Sequence, residues 1–338
     1  MHEWFGFFLV AVGGCANGVF YLPVKYVNPW KWENIWTLWA FIALIAIPSS
    51  VAFATVPRLG EALGSVPLGA MLRVFLFGVG WGVGAVLAGL GAARMGMAMG
   101  FAIVIGVSAA LGTLVPLVVS TPEMVFRAKG LMIILSVLTF LVGVAVVAVA
   151  GRKRADSQGS GSDPLQEGRF ISGLTICILS GVFSSMMNFA FAFSRAISQA
   201  ALRMGATHSG ALNVVWMITL AGGFIPNGLY TSYLLTRNRT WGHYFLPRTA
   251  LFWLFGLYMG VVWTSGLILY GRGASVLGEL GPAIGWPVSM ASLILGSSAV
   301  GFVTGEWRGA STQARRLIVS GLGVLVLALG LLGIAKRL

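Results

Sequence analysis

Apolar stretches of about twenty residues recur along almost the whole chain, and this recurrence leaves little freedom in what the chain can fold into. A hydrocarbon core about 30 Å thick takes roughly 20 apolar residues per helical crossing. The stretches predict crossings at 4–24, 34–56, 71–92, 97–119 and 131–150, then at 170–193, 210–234, 249–270, 279–303 and 314–335. Of 338 residues, little is left for a soluble domain. Hydrophobic residues make up 57% and charged residues 9%, with a mean hydropathy of +0.89, whereas ordinary soluble domains are roughly 25% charged. The expected class is all-α integral membrane, with ten transmembrane helices.

The opening MHEWFGFFLVAVGG carries His2 and Glu3 where a secretory signal carries positive charge, so it is expected to be a retained first helix. Between the fifth and sixth crossings lies RKRADSQGSGSDPLQEGR, polar, rich in Gly and Ser, and expected to lack order. It divides the chain into a first five-helix half at 1–151, a cytoplasmic linker at 152–169 and a second half at 170–338. Net charge is +13, which in a soluble protein would suggest nucleic acid. Here the basic residues sit mainly between crossings, so topology accounts for them and nucleic acid is not an expected partner. Basic residues kept in cytoplasmic loops favour both termini on the outer side, hence periplasmic termini in a bacterial inner membrane. The loops assigned inward include Lys25, Lys31, Arg94, Arg152, Lys153, Arg154, Arg315 and Arg316.

The two halves resemble each other. Phe77, Gly78, Gly82 and Val83 match Phe255, Gly256, Gly260 and Val261 without a gap, and Arg94 with Arg272 and Gly100 with Gly278 continue the match. Five helices separate equivalent elements, so the copies would be inverted in the bilayer, an architecture common among secondary transporters. Gly-xxx-Gly pairs also serve close helix packing, and the two readings are compatible.

Nine carboxylates are available. Asp156, Asp163 and Glu167 fall in the linker, and Glu61 and Glu123 in other loops. Glu3, Glu33, Glu279 and Glu306 stand at or near the ends of apolar segments. An ionisable group at membrane depth is costly and is a candidate for a proton relay. Glu279, in SVLGELGPAIGWPVSM, is the leading candidate because of its apolar surroundings, with Glu33 second. Its plainer role is to cap the ninth helix. Glu306, in GEWRG, suits an interfacial pair with Arg308.

Amides and aromatic faces inside apolar segments offer what a sugar requires, hydroxyl partners and flat apolar surfaces. The candidates are Asn17, Tyr21, Trp36, Trp81, Asn188, Asn213, Trp216, Tyr258, Trp263 and Trp286, and Asn227 lies in similar surroundings. Trp4, Trp30, Trp32 and Trp39 suit an interfacial belt. Pro23, Pro116, Pro226, Pro282 and Pro287 interrupt helices and can expose backbone groups. Cys15 and Cys177 have neither metal-ligand spacing nor disulfide density, so they are expected to pack. No GxxxxGK[ST] loop or clustered catalytic constellation occurs, so neither an ATP-driven pump nor an enzyme is expected, and no cofactor.

FYLPVKYVNPWKWENIW (Phe20 to Trp36), FGVGWGVGAVLAGLGAARMGMAMGFAIVIGVSAALGTLVP (Phe77 to Pro116) and SSAVGFVTGEW (Ser297 to Trp307) resemble the L-rhamnose–proton symporter family of the drug/metabolite transporter superfamily. The resemblance runs over nearly the full length. It includes Phe20, Tyr21, Pro23, Lys25, Trp32, Glu33, Trp36, Trp81, Arg94, Gly96, Gly100, Trp286, Glu306 and Trp307. It implies proton-coupled uptake of L-rhamnose or a related sugar by two inverted five-helix halves, with the fifth and tenth crossings peripheral. Arg94 and Arg272 would then be gate residues on opposite faces, or residues that snorkel to headgroups. The chain departs from the family's rhamnose carrier at Ala85 and Ala88, where that carrier has polar residues, and at Pro282, where it has an aspartate. Glu279 is outside the pattern. Expected partners are a small sugar, a proton and membrane lipid; the sequence does not fix the oligomeric state, and a homodimer is one assembly it allows. The alternatives are export or exchange of another metabolite, or a non-transporting membrane sensor.

Overall fold

In hydrocarbon every backbone N–H and C=O must find its partner within the protein, and an apolar segment achieves this most simply as a helix. The structure, a computed structural model, describes residues 2–159 and 167–338. Among them ten segments are long and apolar enough to cross a membrane: α1 (Trp4–Tyr26), α2 (Trp32–Thr55), α3 (Leu68–Met95), α4 (Met97–Ser120), α5 (Ala128–Ser157), α6 (Phe170–Arg203), α7 (His208–Arg237), α8 (Ala250–Val276), α9 (Gly278–Val303) and α10 (Thr312–Arg337). The shortest has 23 residues, about 34 Å at 1.5 Å per residue, enough for a core of about 30 Å. The bundle thus has two ends, one holding Lys25 and the α5 C-terminus, the other Glu279 and both chain termini.

Two helices differ from the simple expectation. In α2 a π-helical turn at Ile42–Ala46 precedes Pro48, and the bulge leaves the Ala43 carbonyl to accept from Thr264 Oγ1 of α8 at 3.1 Å. In α6 the helix pauses at Phe193 and Ser194, then resumes as the amphipathic helix Arg195–Arg203.

The linker expected at 152–169 begins too early. The α5 helix continues through Ser157 because its polar end finds partners after α9. Arg154 Nη1 lies 3.1 Å from Glu306 Oε2, and Lys153 Nζ donates to Gln313 Oε1 at 3.1 Å. Gln158 Nε2 donates to the carbonyls of Glu306 and Arg308, both at 2.9 Å. A helix resumes at Glu167, and 160–166 lie outside the described residues.

Packing follows a reciprocal scheme. Helix α1 lies against α8 and α9, and α6 lies against α3 and α4. The first helix of each half thus meets the third and fourth of the other. Helices α5 and α10 pair with each other at the edge of the bundle.

The glycine pairs follow the same scheme. A Cβ on Gly78 or Gly82 of α3 would collide with the Thr219 or Gly223 backbone of α7. On Gly256 or Gly260 of α8 it would strike Leu38 or Ile42 of α2. Such close approach is how lipid-embedded helices gain contact without a hydrophobic driving force. The gapless match ends at the turns, where Gly96 (φ 82°) joins α3 to α4 and Gly278 (φ 78°) joins α8 to α9. Since Gly278 aligns with Gly100 in sequence, the second turn comes one helical turn later.

Candidate functional site

The first turns of α2 place Trp32, Trp36 and Trp39 at helical spacing, and Phe20 and Tyr21, just before the last turn of α1, lie beside them. Trp32 and Trp36 stack at 5.1 Å between ring centres, and Trp36 and Trp39 lie 4.2 Å apart. Phe20 is 5.6 Å from Trp39, and Tyr21 is 5.9 Å from Trp36. Trp39 then meets Trp263 of α8 at 5.4 Å, and Trp263 meets Trp81 of α3 at 5.4 Å. One aromatic wall therefore runs from the Lys25 end to the middle of the bundle, across α1, α2, α8 and α3.

Amides hold this wall. Trp36 Nε1 donates to Asn227 Oδ1 at 3.1 Å, while Asn227 Nδ2 donates to the Gly223 carbonyl at 2.9 Å. Gly223 in turn faces the Trp81 ring. Asn17 stands one helical turn before Tyr21. Its Oδ1 is buried beside Gly266 of α8 with no hydrogen-bond partner among the described residues. Phe20, Tyr21, Trp36 and Trp81 remain half-buried, so aromatic surface stays available in the wall.

Towards the Glu279 end the interior closes around Asn188 of α6. Its Nδ2 donates to the carbonyls of Gly112 at 2.6 Å and Pro282 at 3.0 Å, and its Oδ1 accepts from Tyr270. Trp286 Nε1 donates to the Ser108 carbonyl at 3.0 Å and packs edge-on against Tyr270 at 5.6 Å. Phe191 stacks on Trp216 at 5.7 Å. Four helices, α4, α6, α8 and α9, are tied here by the hydrogen bonds of Asn188, Tyr270 and Trp286. Asn213 lies apart, its Nδ2 donating to Thr55 Oγ1 at 3.0 Å. It lines a narrow crevice, too tight to hold a water molecule, with Trp216, Pro48 and Thr264.

The carboxylates reverse the expected order. Glu279 is exposed in the short turn Gly278–Leu280 that opens α9. The apolar residues around it in sequence belong to the flanking helices. Glu33 is buried at 5% exposure. Its Oε1 accepts from Asn238 Nδ2 at 2.9 Å and Thr240 Oγ1 at 3.0 Å, both in the α7 to α8 connection. The neighbouring Asn34 adds Nδ2 to the Thr240 carbonyl at 2.9 Å, and Trp30 Nε1 donates to the His243 carbonyl at 2.8 Å. The start of α2 therefore clasps that connection.

Glu306 pairs with Lys25 and Arg154 rather than Arg308. Burial works to raise its carboxyl, but the Lys25 ammonium and the Arg154 guanidinium outweigh this and hold it below the usual carboxylate range.

Other expectations fail on exposure. Tyr258 is 41% exposed on the outer face of α8 and does not reach the interior. Trp30 and Trp39, expected at the interface, are 3% and 1% exposed, since both pack inward at the clasp and the wall. Trp4 is exposed, with the Arg337 guanidinium 5.1 Å from its ring centre. Arg94 and Arg272 are exposed at opposite ends of the bundle. Tyr270 and Trp39 are central yet absent from the expected set. An intramembrane tyrosine with a hydroxyl to satisfy was the available signal for Tyr270.

A family description, L-rhamnose-proton symport protein (RhaT), matches residues 3–336. The chain belongs to this family. It is similar to the L-rhamnose-proton symporter of Pectobacterium atrosepticum, with 29% identity over 97% of both chains. The L-rhamnose-proton symporter of Yersinia pestis is 27% identical over 96% of this chain and 95% of its own. One crystal structure shares the fold at a TM-score of 0.50 and 17% identity, covering 100% of this chain and 97% of the other.

The residues that carry the family resemblance fall in distinct places. Phe20, Tyr21, Trp32, Trp36 and Trp81 build the aromatic wall. Glu33 forms the clasp, Lys25 and Glu306 the ion pair, and Trp286 the closed knot. At the departure Pro282, the backbone carbonyl serves Asn188.

Proposed function

We propose that this protein carries L-rhamnose or a closely related sugar with a proton across a bacterial inner membrane, by alternating access of two inverted five-helix halves. The half-buried aromatic wall of Phe20, Tyr21, Trp36 and Trp81, beside the amides of Asn17 and Asn227, carries this reading in a chain of the rhamnose symport family. Sugar C–H faces stack on such rings and hydroxyls pair with such amides. The reciprocal packing of α1 and α6 supports the inverted repeat, with halves at 1–151 and 170–338. The basic residues at the Lys25 end support a cytoplasmic position for that end and periplasmic termini.

Glu33 is our choice for the proton carrier, as the buried carboxylate among the described residues. Asn188, Tyr270, Trp216 and Trp286 would form the closed gate, and Arg94 and Arg272 would flank the two entrances. The departures at Ala85, Ala88 and Pro282 favour a second reading, a different sugar or metabolite moved by the same fold.

Uptake of labelled L-rhamnose into proteoliposomes under an inward proton gradient tests both readings. Accumulation by the unmodified protein, lost in Glu33→Gln and kept in Glu279→Gln, is the expected result. Sugar counterflow without a gradient should persist in Glu33→Gln, because exchange of a loaded carrier needs no net proton movement. No L-rhamnose entry above that of empty liposomes overturns the rhamnose assignment, and a panel of related sugars then identifies the substrate.

A further inference from the structure

Small residues leave a furrow between α4 and α5. Ala102 and Gly106 on α4 face Leu141, Ala145 and Ala148 on α5, and the furrow encloses about 450 Å³ with an almost wholly apolar lining. It opens outward, because α5 turns a different face to α10, where Gly143 meets Leu325 and Val147 meets Gly321. Arg152 lines its Lys25 end. Beside it, Gly151 rests on Ala98, a contact that sets Arg152 at the mouth.

The chemistry along this furrow changes at one depth. Leu141 and Arg152 lie eleven residues apart on one unbroken helix, about 16 Å at 1.5 Å per residue. That is about half of a 30 Å hydrocarbon core, the depth of one leaflet. Within the basic run, Lys153 bonds Gln313 and Arg154 bonds Glu306. Arg152 is exposed and has no ion pair among the described residues. An apolar slot one leaflet deep that ends at an exposed guanidinium matches a lipid with a negatively charged head, and basic pockets between membrane helices recognise such heads.

We propose that the α4–α5 furrow is a binding site for an anionic phospholipid, one acyl chain lying along Ala102, Gly106, Ala145 and Ala148 and the phosphate pairing with Arg152. The inference needs only the membrane-spanning placement and not the transport reading. Full-length protein, titrated with phosphatidylglycerol or phosphatidylcholine and weighed intact by native mass spectrometry, tests it. Phosphatidylglycerol should be retained preferentially. Arg152→Gln should cut that retention about fivefold, the equivalent of about 1 kcal/mol per basic residue at an anionic surface. Ala148→Leu, which fills the slot and keeps the charge, should also reduce it, whereas glycerol phosphate alone should not compete. Equal retention of the two lipids, an unchanged Arg152→Gln, or copy-to-copy crosslinking through Ala148→Cys in place of lipid retention would overturn the proposal.

Discussion

Arg154 Nη1 lies 3.1 Å from Glu306 Oε2, an ion pair that joins the end of α5 to the connection between α9 and α10. Lys25, from the end of α1, meets the other carboxylate oxygen. The Arg154 guanidinium also lies 5.0 Å from the centre of the Trp307 ring. Three separate segments are thus held at one end of the bundle by a single acid.

That acid gives a pH dependence of known sign. The folded Glu306 carboxyl is held below its ordinary value, so the network's contribution is present above the unfolded value of about 4.3 and is lost as pH falls through the folded value. Thermal melting in detergent should show Glu306→Gln less stable than the unmodified protein at pH 7, with the gap narrowing below about pH 4.3. The groups are partly exposed, so solvent screening keeps the effect small. A gap that does not change with pH would refute the ionic origin.

Tyr270→Phe removes the only hydroxyl that donates to Asn188 Oδ1 among the described residues. Asn188 stays buried, so the orphaned oxygen should cost about 1–3 kcal/mol and lower the melting temperature. Asn188→Ala should cost more, because the Gly112 and Pro282 carbonyls lose their donor as well. Melting of both variants in detergent, beside the unmodified protein, provides the check.

Gly78→Ala should be poorly tolerated. Its new Cβ collides with the Thr219 carbonyl, which belongs to rigid backbone, and overpacking of this kind costs about 1–3 kcal/mol or more. Gly89→Ala on the same helix meets nothing within 4 Å and should leave folding unchanged. The yield of monodisperse protein from size-exclusion chromatography separates the two outcomes.

Trp263→Leu should weaken sugar binding more than it weakens the fold. Trp263 links Trp39 to Trp81, and without it the wall loses its middle. An aromatic pair contributes about 0.5–1.5 kcal/mol beyond area burial, so KM for the transported sugar should rise several-fold with a smaller change in maximal rate. Equal loss of both, with a lowered melting temperature, would mark Trp263 as purely structural.

What could be read from residues alone is what the bilayer imposes locally. Twenty apolar residues in a row have one low-energy solution in hydrocarbon, so the number, order and class of the helices follow from hydropathy without reference to neighbours. Glycine spacing on α3 and α8 likewise signals close packing, since only the missing Cβ allows it. Motif resemblance added the family, because Trp, Lys, Glu and Arg at fixed spacing are more specific than apolar composition.

Burial belongs to the assembled bundle. Glu33 and Glu279 both sit at the edge of apolar runs, yet one is sealed by Asn238 and Thr240 while the other faces outward. The sealing groups lie more than two hundred residues away in the chain. The same holds for Trp39 and Tyr258, one in the core and the other on the outer face, and for Arg154, whose partners kept α5 helical past its apolar stretch. A residue's neighbours in sequence set its helix. Its chemistry depends on which face that helix turns to the others, and only the packing of all ten decided that.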